Sequence, residues 1–270
     1  MRVSTVTGMG VSVMLAFLTS AIASASAQQS SAECNQSVVL VHDMGSNAAA
    51  MRSLSDALDE AGRCTFLFEY GRNGVSAMLG SIGGLTEIES SAAEFATFLD
   101  SMAGGEGAQV VDVVAHGAGS LVVQTYLQRS PKANGIRSLT SIGPMWNGTD
   151  IAGLGTIESL SRHFGTYDAI LAAEAPIVDP VCAGCRQIVA GSDFLTTLRN
   201  GGLVSPGVHY VNIVSDGDLF VVPSLSADVA GMALVRLSQL HPSSSANHFE
   251  LLDDAVVTST VAAVLNGQTQ

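Results

Sequence analysis

From Ser37 to Asp112 the chain alternates short apolar runs with stretches whose apolar residues recur at helical spacing. "SVVLVH" is followed by "AAAMRSLSDALDEAG", then "CTFLFEYG", then "LTEIESSAAEFATFLDSM". Apolar runs without polar alternation are strands covered on both faces, and strands separated by helices imply a parallel sheet with crossover connections. The series continues with the strand "AQVVDVVA", the helix "SLVVQTYLQRS" stopped by Pro131, and the strand "IRSLTSIG". It closes with a helix "RQIVAGSDFLTTLRN" ended by Gly201 and Gly202, strands "VHYVNIVS" and "ALVRLSQL", and a helix from Phe249 to Asn266. The pattern predicts a single α/β domain over residues 28–270, with a mostly parallel sheet flanked by helices and no internal repeat.

Residues 144–180 break the alternation. The segment is long, rich in glycine, and carries scattered apolar residues such as Met145, Trp146, Leu154, Ile157, Leu160 and Phe164. Insertions after a strand's carboxyl end are where α/β proteins build binding sites, so this segment is expected to be a lid or cleft wall.

The first 27 residues change the picture of where the protein acts. Arg2, an apolar stretch from Val11 to Ile22, and Ala25-Ser26-Ala27 form a secretory leader pattern with cleavage expected after Ala27. Export follows, with no stable membrane span left after cleavage. The chain carries 11 Lys+Arg against 24 Asp+Glu, a formal net charge of −13, and loses a further positive charge with Arg2. Such a protein repels phosphate backbones and anionic lipid surfaces, which excludes nucleic acid as a partner class. In an exported chain the four cysteines, Cys34, Cys64, Cys182 and Cys185, are expected to form disulfides. Three pairings are possible. Cys34 precedes one predicted strand and Cys64 opens the next, which suits a clamp between neighbouring strands and leaves "CAGC" to close a local loop. No phosphate-binding glycine loop, metal-ligand spacing or dinucleotide fingerprint appears, so neither cofactor nor metal is expected.

The stretch "VVDVVAHGAGSLVV" at 110–123 runs from strand into a glycine-rich turn and out into a helix. That is how an α/β-hydrolase presents its nucleophile in G-x-S-x-G, but the central residue here is Gly117. Further on, Asp218 follows "VHYVNIVSDG" and His248 precedes the last helix. Elbow, acid and histidine thus come in the α/β-hydrolase order, and in a parallel sheet they would converge on one edge. Asp216 competes with Asp218 for the acid's place, both lying in "SDGD".

Over roughly Ser37 to Asn266 the chain resembles the secreted bacterial triacylglycerol lipases of the class 2 lipase family. The matching pieces are "VVLVHDMGSN", "AGRCTFLFEYG", "GSIGGLTEIESSAAEFATFLD", "CAGCRQIVAGSDFL" and "GDLFVVP". The resemblance implies an acid at Asp218, a base at His248, the nucleophile position at Gly117, and oxyanion-hole N–H donors at Met44 and Ala118. It implies an acyl or ester ligand. The departures are Gly117 for serine, Ala115 for the first elbow glycine, and Asp43 for the glycine usual after His42. The first removes the attacking oxygen, and the third brings a carboxylate toward a site meant to hold negative charge. Glycine fits the strained elbow backbone without a Cβ penalty, so the fold is expected to survive the loss of serine. Ser120 lies about one turn into the next helix, too far to substitute. His42 and His116 are read as structural hydrogen-bonders. Two functions follow: a lipase-like protein impaired in catalysis that binds acyl or ester ligands, or a carboxylic ester hydrolase working through another nucleophile or a water that His248 activates in the space serine would fill.

Overall fold

The structure, a computed structural model, describes residues 36–102, 110–130, 135–150 and 153–268, which belong to one compact unit spanning Cys34–Gln270. The expected leader at 1–27 lies outside the described residues. Among the described residues, six strands form one parallel sheet: β1 (Ser37–Val41), β2 (Cys64–Phe68), β3 (Val111–His116), β4 (Ile136–Ile142), β5 (His209–Val214) and β6 (Ala233–Arg236). Their order across the sheet is β2-β1-β3-β4-β5-β6. The chain winds outward to β2 and then returns past β1 to start β3, so the sheet has its switch point between β1 and β3. A crevice opens at the carboxyl ends of strands at such a point.

The strand side chains divide between two cores. Val39, Val41, Val113 and Ala115 face one side, packing with α2 (Ile88–Met102) and α3 (Gly119–Arg129) through Phe95, Leu121 and Tyr126. Val38, Leu40, Val114 and Ile142 face the other, against α1 (Arg52–Glu60) and α8 (Ala255–Leu265). The period of two puts alternate residues on opposite faces, and both faces being covered explains the unbroken apolar runs. Asp112, buried in the middle of this sheet, is matched by Arg137 and by a 2.6 Å hydrogen bond from the Ser138 hydroxyl.

Three elements differ from expectation. "RQIVAGSDFLTTLRN" is not one helix: α5 (Tyr167–Gln187) ends there, and α6 (Asp193–Asn200) starts afresh after Gly191 at φ 92°. The Ser192 hydroxyl accepts the Leu195 N–H, an N-cap that satisfies one of the new helix's free donors. "ALVRLSQL" is strand only to Arg236 and then turns into the short α7 (Leu237–Leu240). The closing helix starts at Ala255, where the Asp254 carboxylate caps it, with a 3-10 turn at Glu250–Leu252 before it. The insertion carries helices: α4 (Leu154–His163) and most of α5 fall within residues 144–180, and Ile157, Leu160 and Ile177 on them, with Phe164 just after α4, are exposed.

Cys182 and Cys185 form a disulfide at a Cα separation of 5.3 Å, where α5 is interrupted by a non-helical Cys182. Cys64 is also disulfide-bonded, while Cys34 lies outside the described residues. Alkylation of the native protein without reduction is therefore expected to label no thiol, since no described cysteine is free. Mass spectrometry showing two or more alkylated cysteines would contradict this. No helix among the described residues is long and apolar enough to cross a membrane.

Candidate active site at the carboxyl ends of the strands

The register of β1 on β3 pairs Val41 with Ala115. Two residues further along each strand end, the same register brings Asp43 beside Gly117. Gly117 has φ 51°, the left-handed turn that a side chain adopts only with strain, and its N–H donates to the Ile142 carbonyl at 3.0 Å. Gly117 thus sits in a tight left-handed turn between β3 and α3. Gly119, the elbow's second glycine, is required by close approach: a Cβ there would lie 2.5 Å from the His42 carbonyl oxygen. Ala115, in place of the first elbow glycine, is accommodated inside β3 with no exposure.

The space above Gly117 is not vacant. A Cβ at this position would lie 2.1 Å from Asp43 Oδ1 and 2.2 Å from Asp43 Cγ, so the Asp43 carboxylate occupies the volume of a residue-117 side chain. Asp43 Oδ1 accepts the Ala118 N–H at 2.6 Å, and Asp43 Oδ2 lies 3.0 Å from His248 Nε2. His248 Nδ1 is 2.7 Å from Asp218 Oδ2. The other Asp218 oxygen accepts the N–H groups of Phe220 and Val221 at 2.8 and 2.9 Å, which fixes the carboxylate in the turn after β5. Asp216 is instead exposed and paired with Arg236 and Ser238, so the choice within "SDGD" falls on Asp218. The expectation of a water in the space left by serine is corrected: a carboxylate of the chain fills it and takes the His248 contact.

Asp43, Asp218 and His248 are all buried. The His248 ring stacks on His116 at 4.5 Å and on Phe220 at 5.4 Å, with Phe249 edge-on at 5.7 Å. His116 Nε2 donates to the His248 carbonyl at 3.0 Å, and His42 Nδ1 donates to the Asp43 carbonyl at 2.7 Å, so both histidines hold backbone as read from the sequence. Met44 follows in the turn after Asp43 and is half-buried. Ser120 is buried within α3, its N–H on the Gly117 carbonyl at 3.2 Å.

The electrostatics follow from this packing. Burial works against a charged His248, but hydrogen bonds and charge from Asp218 and Asp43 outweigh it and push its pKa up to about 9. Burial alone would raise both carboxyls, and the hydrogen bond and charge of His248 instead bring Asp43 and Asp218 below their ordinary value. Burial brings His116 down to about 4. At neutral pH the site is a carboxylate, an imidazolium and a second carboxylate in one hydrogen-bonded chain. Asp43, His116 and His248 each offer an atom of metal-ligand type within 4.8 Å of one another, but Asp43 and His248 already satisfy each other directly.

No family model matches this chain, and no curated protein matches its sequence. Its likeness to solved structures is extensive. Lipase B of Aspergillus fumigatus superposes with a TM-score of 0.64 at 15% identity, over 86% of this chain and 52% of that one. This chain therefore spans about half the length of that lipase. A monoacylglycerol lipase of Paleococcus ferrophilus gives 0.57 at 16% identity over 86% of this chain and 95% of its own, and a Bacillus licheniformis lipase gives 0.59 at 11% over 86% and 93%. The fold is that of the α/β-hydrolases.

Proposed function

We propose that this is an exported α/β-hydrolase protein of lipase or esterase type that has lost serine-ester turnover and binds an acyl or ester ligand. The observation that carries the loss is the Asp43 carboxylate in the place of a residue-117 side chain. Ester hydrolysis needs a hydroxyl to attack, a base to take its proton, and N–H donors free to hold the developing oxyanion. Gly117 offers no hydroxyl, His248 already holds a proton at neutral pH, and the Ala118 N–H is bound to Asp43. A carboxylate beside that N–H also repels a second negative oxygen. The stretches in which the sequence resembles class 2 lipases support the family reading. The leader pattern and the disulfide chemistry support export.

The ligand reading rests on a cleft of about 430 Å³ between the insertion helices and the α3–α6 side of the domain. Leu154, Ile157, Leu171, Phe194 and Leu198 form its apolar part, and charged and polar side chains such as Glu89, Arg129, Glu158, Arg186 and Asp193 make up most of the rest, a size and character suited to one small ligand with an apolar chain and a polar head. The test combines a fluorophosphonate probe, p-nitrophenyl esters, and titration with a fluorescent fatty acid. No labelling, no turnover above buffer, and saturable fatty-acid binding weakened by Leu154→Asp together support the reading. Stoichiometric labelling at Ser120, or ester turnover, would refute the loss of chemistry, and absence of saturable binding would refute the ligand.

A second reading is a carboxylic ester hydrolase that uses another nucleophile. The intact Asp218–His248 pair at 2.7 Å favours it. It requires ester turnover that disappears on His248→Ala.

A further inference from the structure

From the contact of Asp43 with both His248 and the Ala118 N–H, we propose that Asp43 is a nucleophile toward a strained sp3 carbon and that the site hydrates an epoxide to a vicinal diol. The inference rests on the absence of serine-ester turnover and goes beyond it to a different electrophile. Its basis is the location of the carboxylate. Asp43 stands where an elbow nucleophile's side chain would be, 3.0 Å from an imidazole that is itself oriented by Asp218 at 2.7 Å. Nucleophile, base and orienting acid are the three roles covalent hydrolysis needs.

The electrophile follows from carboxylate chemistry. Attack on an ester carbonyl would give an anhydride by expelling an alkoxide, and the carboxylate, a far weaker base, leaves instead and restores the ester. Attack at an sp3 carbon has no such return path and needs no oxyanion hole for the substrate, which suits a site whose Ala118 N–H is already taken. A leaving group that departs as an anion would need donors of its own. In an epoxide the leaving oxygen stays on the substrate and needs one proton, and His248 Nε2 holds one beside Asp43.

The steps balance. Asp43 Oδ2 forms a bond to a ring carbon, the ring C–O bond breaks onto the oxygen, and the His248 Nε2 proton passes to that oxygen. The products are a hydroxyalkyl ester of Asp43 and a neutral His248. With Asp43 esterified, one of the two carboxylates that favour the charged imidazole is gone, so His248 is ready to act as a base. Asp218 keeps the proton on Nδ1, leaving Nε2 to take one from water. Water adds to Asp43 Cγ as His248 Nε2 takes one of its protons, the ester carbonyl oxygen becomes an oxyanion held by the Ala118 N–H, collapse releases the diol with that proton, and the water's other proton, now on the Asp43 carboxyl, passes to His248 Nε2, restoring the carboxylate and the imidazolium. Phe249, 55% exposed and edge-on to His248, with Phe220 stacked on the same ring, offers an apolar wall for an aryl or alkyl substituent.

The experiment uses the mature protein with styrene oxide in heavy-oxygen water under single-turnover conditions. Expected are phenyl diol carrying no heavy oxygen from the first turnover and one heavy oxygen in the peptide containing Asp43. Asp43→Asn, shown folded by circular dichroism, should lose both signals. Asp218→Asn should slow release of the ester on the order of a hundredfold, so that an Asp43 adduct accumulates and is mapped by mass spectrometry. Diol formed with heavy oxygen in the diol and none in Asp43 would overturn the proposal in favour of direct water attack. Diol no greater than with Asp43→Asn would overturn it outright. Ester turnover by the same preparation, measured with p-nitrophenyl acetate, bears only on the loss of serine-type chemistry.

Discussion

Gly117→Ser alone is expected to destabilise the protein by about 3 to 5 kcal/mol, and Gly117→Ser with Asp43→Gly to restore the fold and introduce ester hydrolysis. The single change puts a Cβ 2.1 Å from Asp43 Oδ1 and 2.6 Å from Asp43 Oδ2. Asp43 has little freedom to yield, being held on one oxygen by the Ala118 N–H and on the other by His248. Displacing it leaves a buried imidazolium short of a partner, and serine at φ 51° adds a strain of about 1 to 3 kcal/mol. For a domain of this size the combined loss lowers Tm by roughly 10 °C. Removing the carboxylate first changes the outcome: the Ala118 N–H is freed, and the new hydroxyl enters the volume Asp43 held next to His248 Nε2. The two substitutions should therefore be strongly non-additive in a double-mutant cycle. Thermal unfolding and p-nitrophenyl butyrate turnover check both halves, with activity lost again on His248→Ala. A single Gly117→Ser protein as stable as the parent would mean that Asp43 does not fill this space.

That coupling was only half visible in the amino-acid pattern. β1 was legible as an unbroken buried apolar run and β3 and β5 as apolar runs interrupted by Asp112 and Asn212, while the half-buried β2 and β6 and the mixed "IRSLTSI" of β4 were legible by their place in the alternation with helices. Gly117, Asp218 and His248 were legible as a group because their chain order and their places at strand ends imply convergence. The break between α5 and α6 was less so: "RQIVAGSDFL" keeps a helical apolar spacing through Gly191, and only its φ of 92° and the Ser192 cap end one helix and begin another. In the insertion, Gly153 precedes α4 and Gly165 follows it, so the glycines bound a helix that the broken alternation did not mark. The role of Asp43 needed the three-dimensional neighbour relation. Asp43 and Gly117 are distant in sequence, and only the pairing of Val41 with Ala115 puts them side by side. The signal that could have shown it was the pair of opposite departures, a larger side chain where glycine is usual and a glycine where serine is usual, two residues beyond matching strand ends.

The buried chain of charges also sets how stability depends on pH, and a maximum near pH 6.5 with losses on both sides is expected. His248 has its folded pKa raised from 6.5 to about 9, so its contribution is complete below 6.5 and is lost as pH rises through 9. His116 is shifted the opposite way, from 6.5 to about 4, because burial favours its neutral form. Its contribution is complete above 6.5 and is lost as pH falls through 4. Asp43 and Asp218, both held below 3.8, add to the loss on the acid side. Each histidine shift corresponds to about 3 kcal/mol at the far end of its window, so neither arm is a small correction to a stability of about 5 to 15 kcal/mol. Tyr70, the neighbouring phenol, is raised well above 10 by burial and by the charges of Asp43, Glu69 and Glu94, and stays neutral throughout. Denaturant unfolding at about pH 4, 6.5 and 9 measures the two arms. Asp43→Asn separates them: it takes away one of the two carboxylates that raise His248, so the alkaline arm should shrink, while the loss from His116 below 6.5 should persist. A stability that stays flat between pH 6.5 and 9 in the parent protein would mean that His248 is not held between two carboxylates, and the proton assigned to its Nε2 would have to be given up with it.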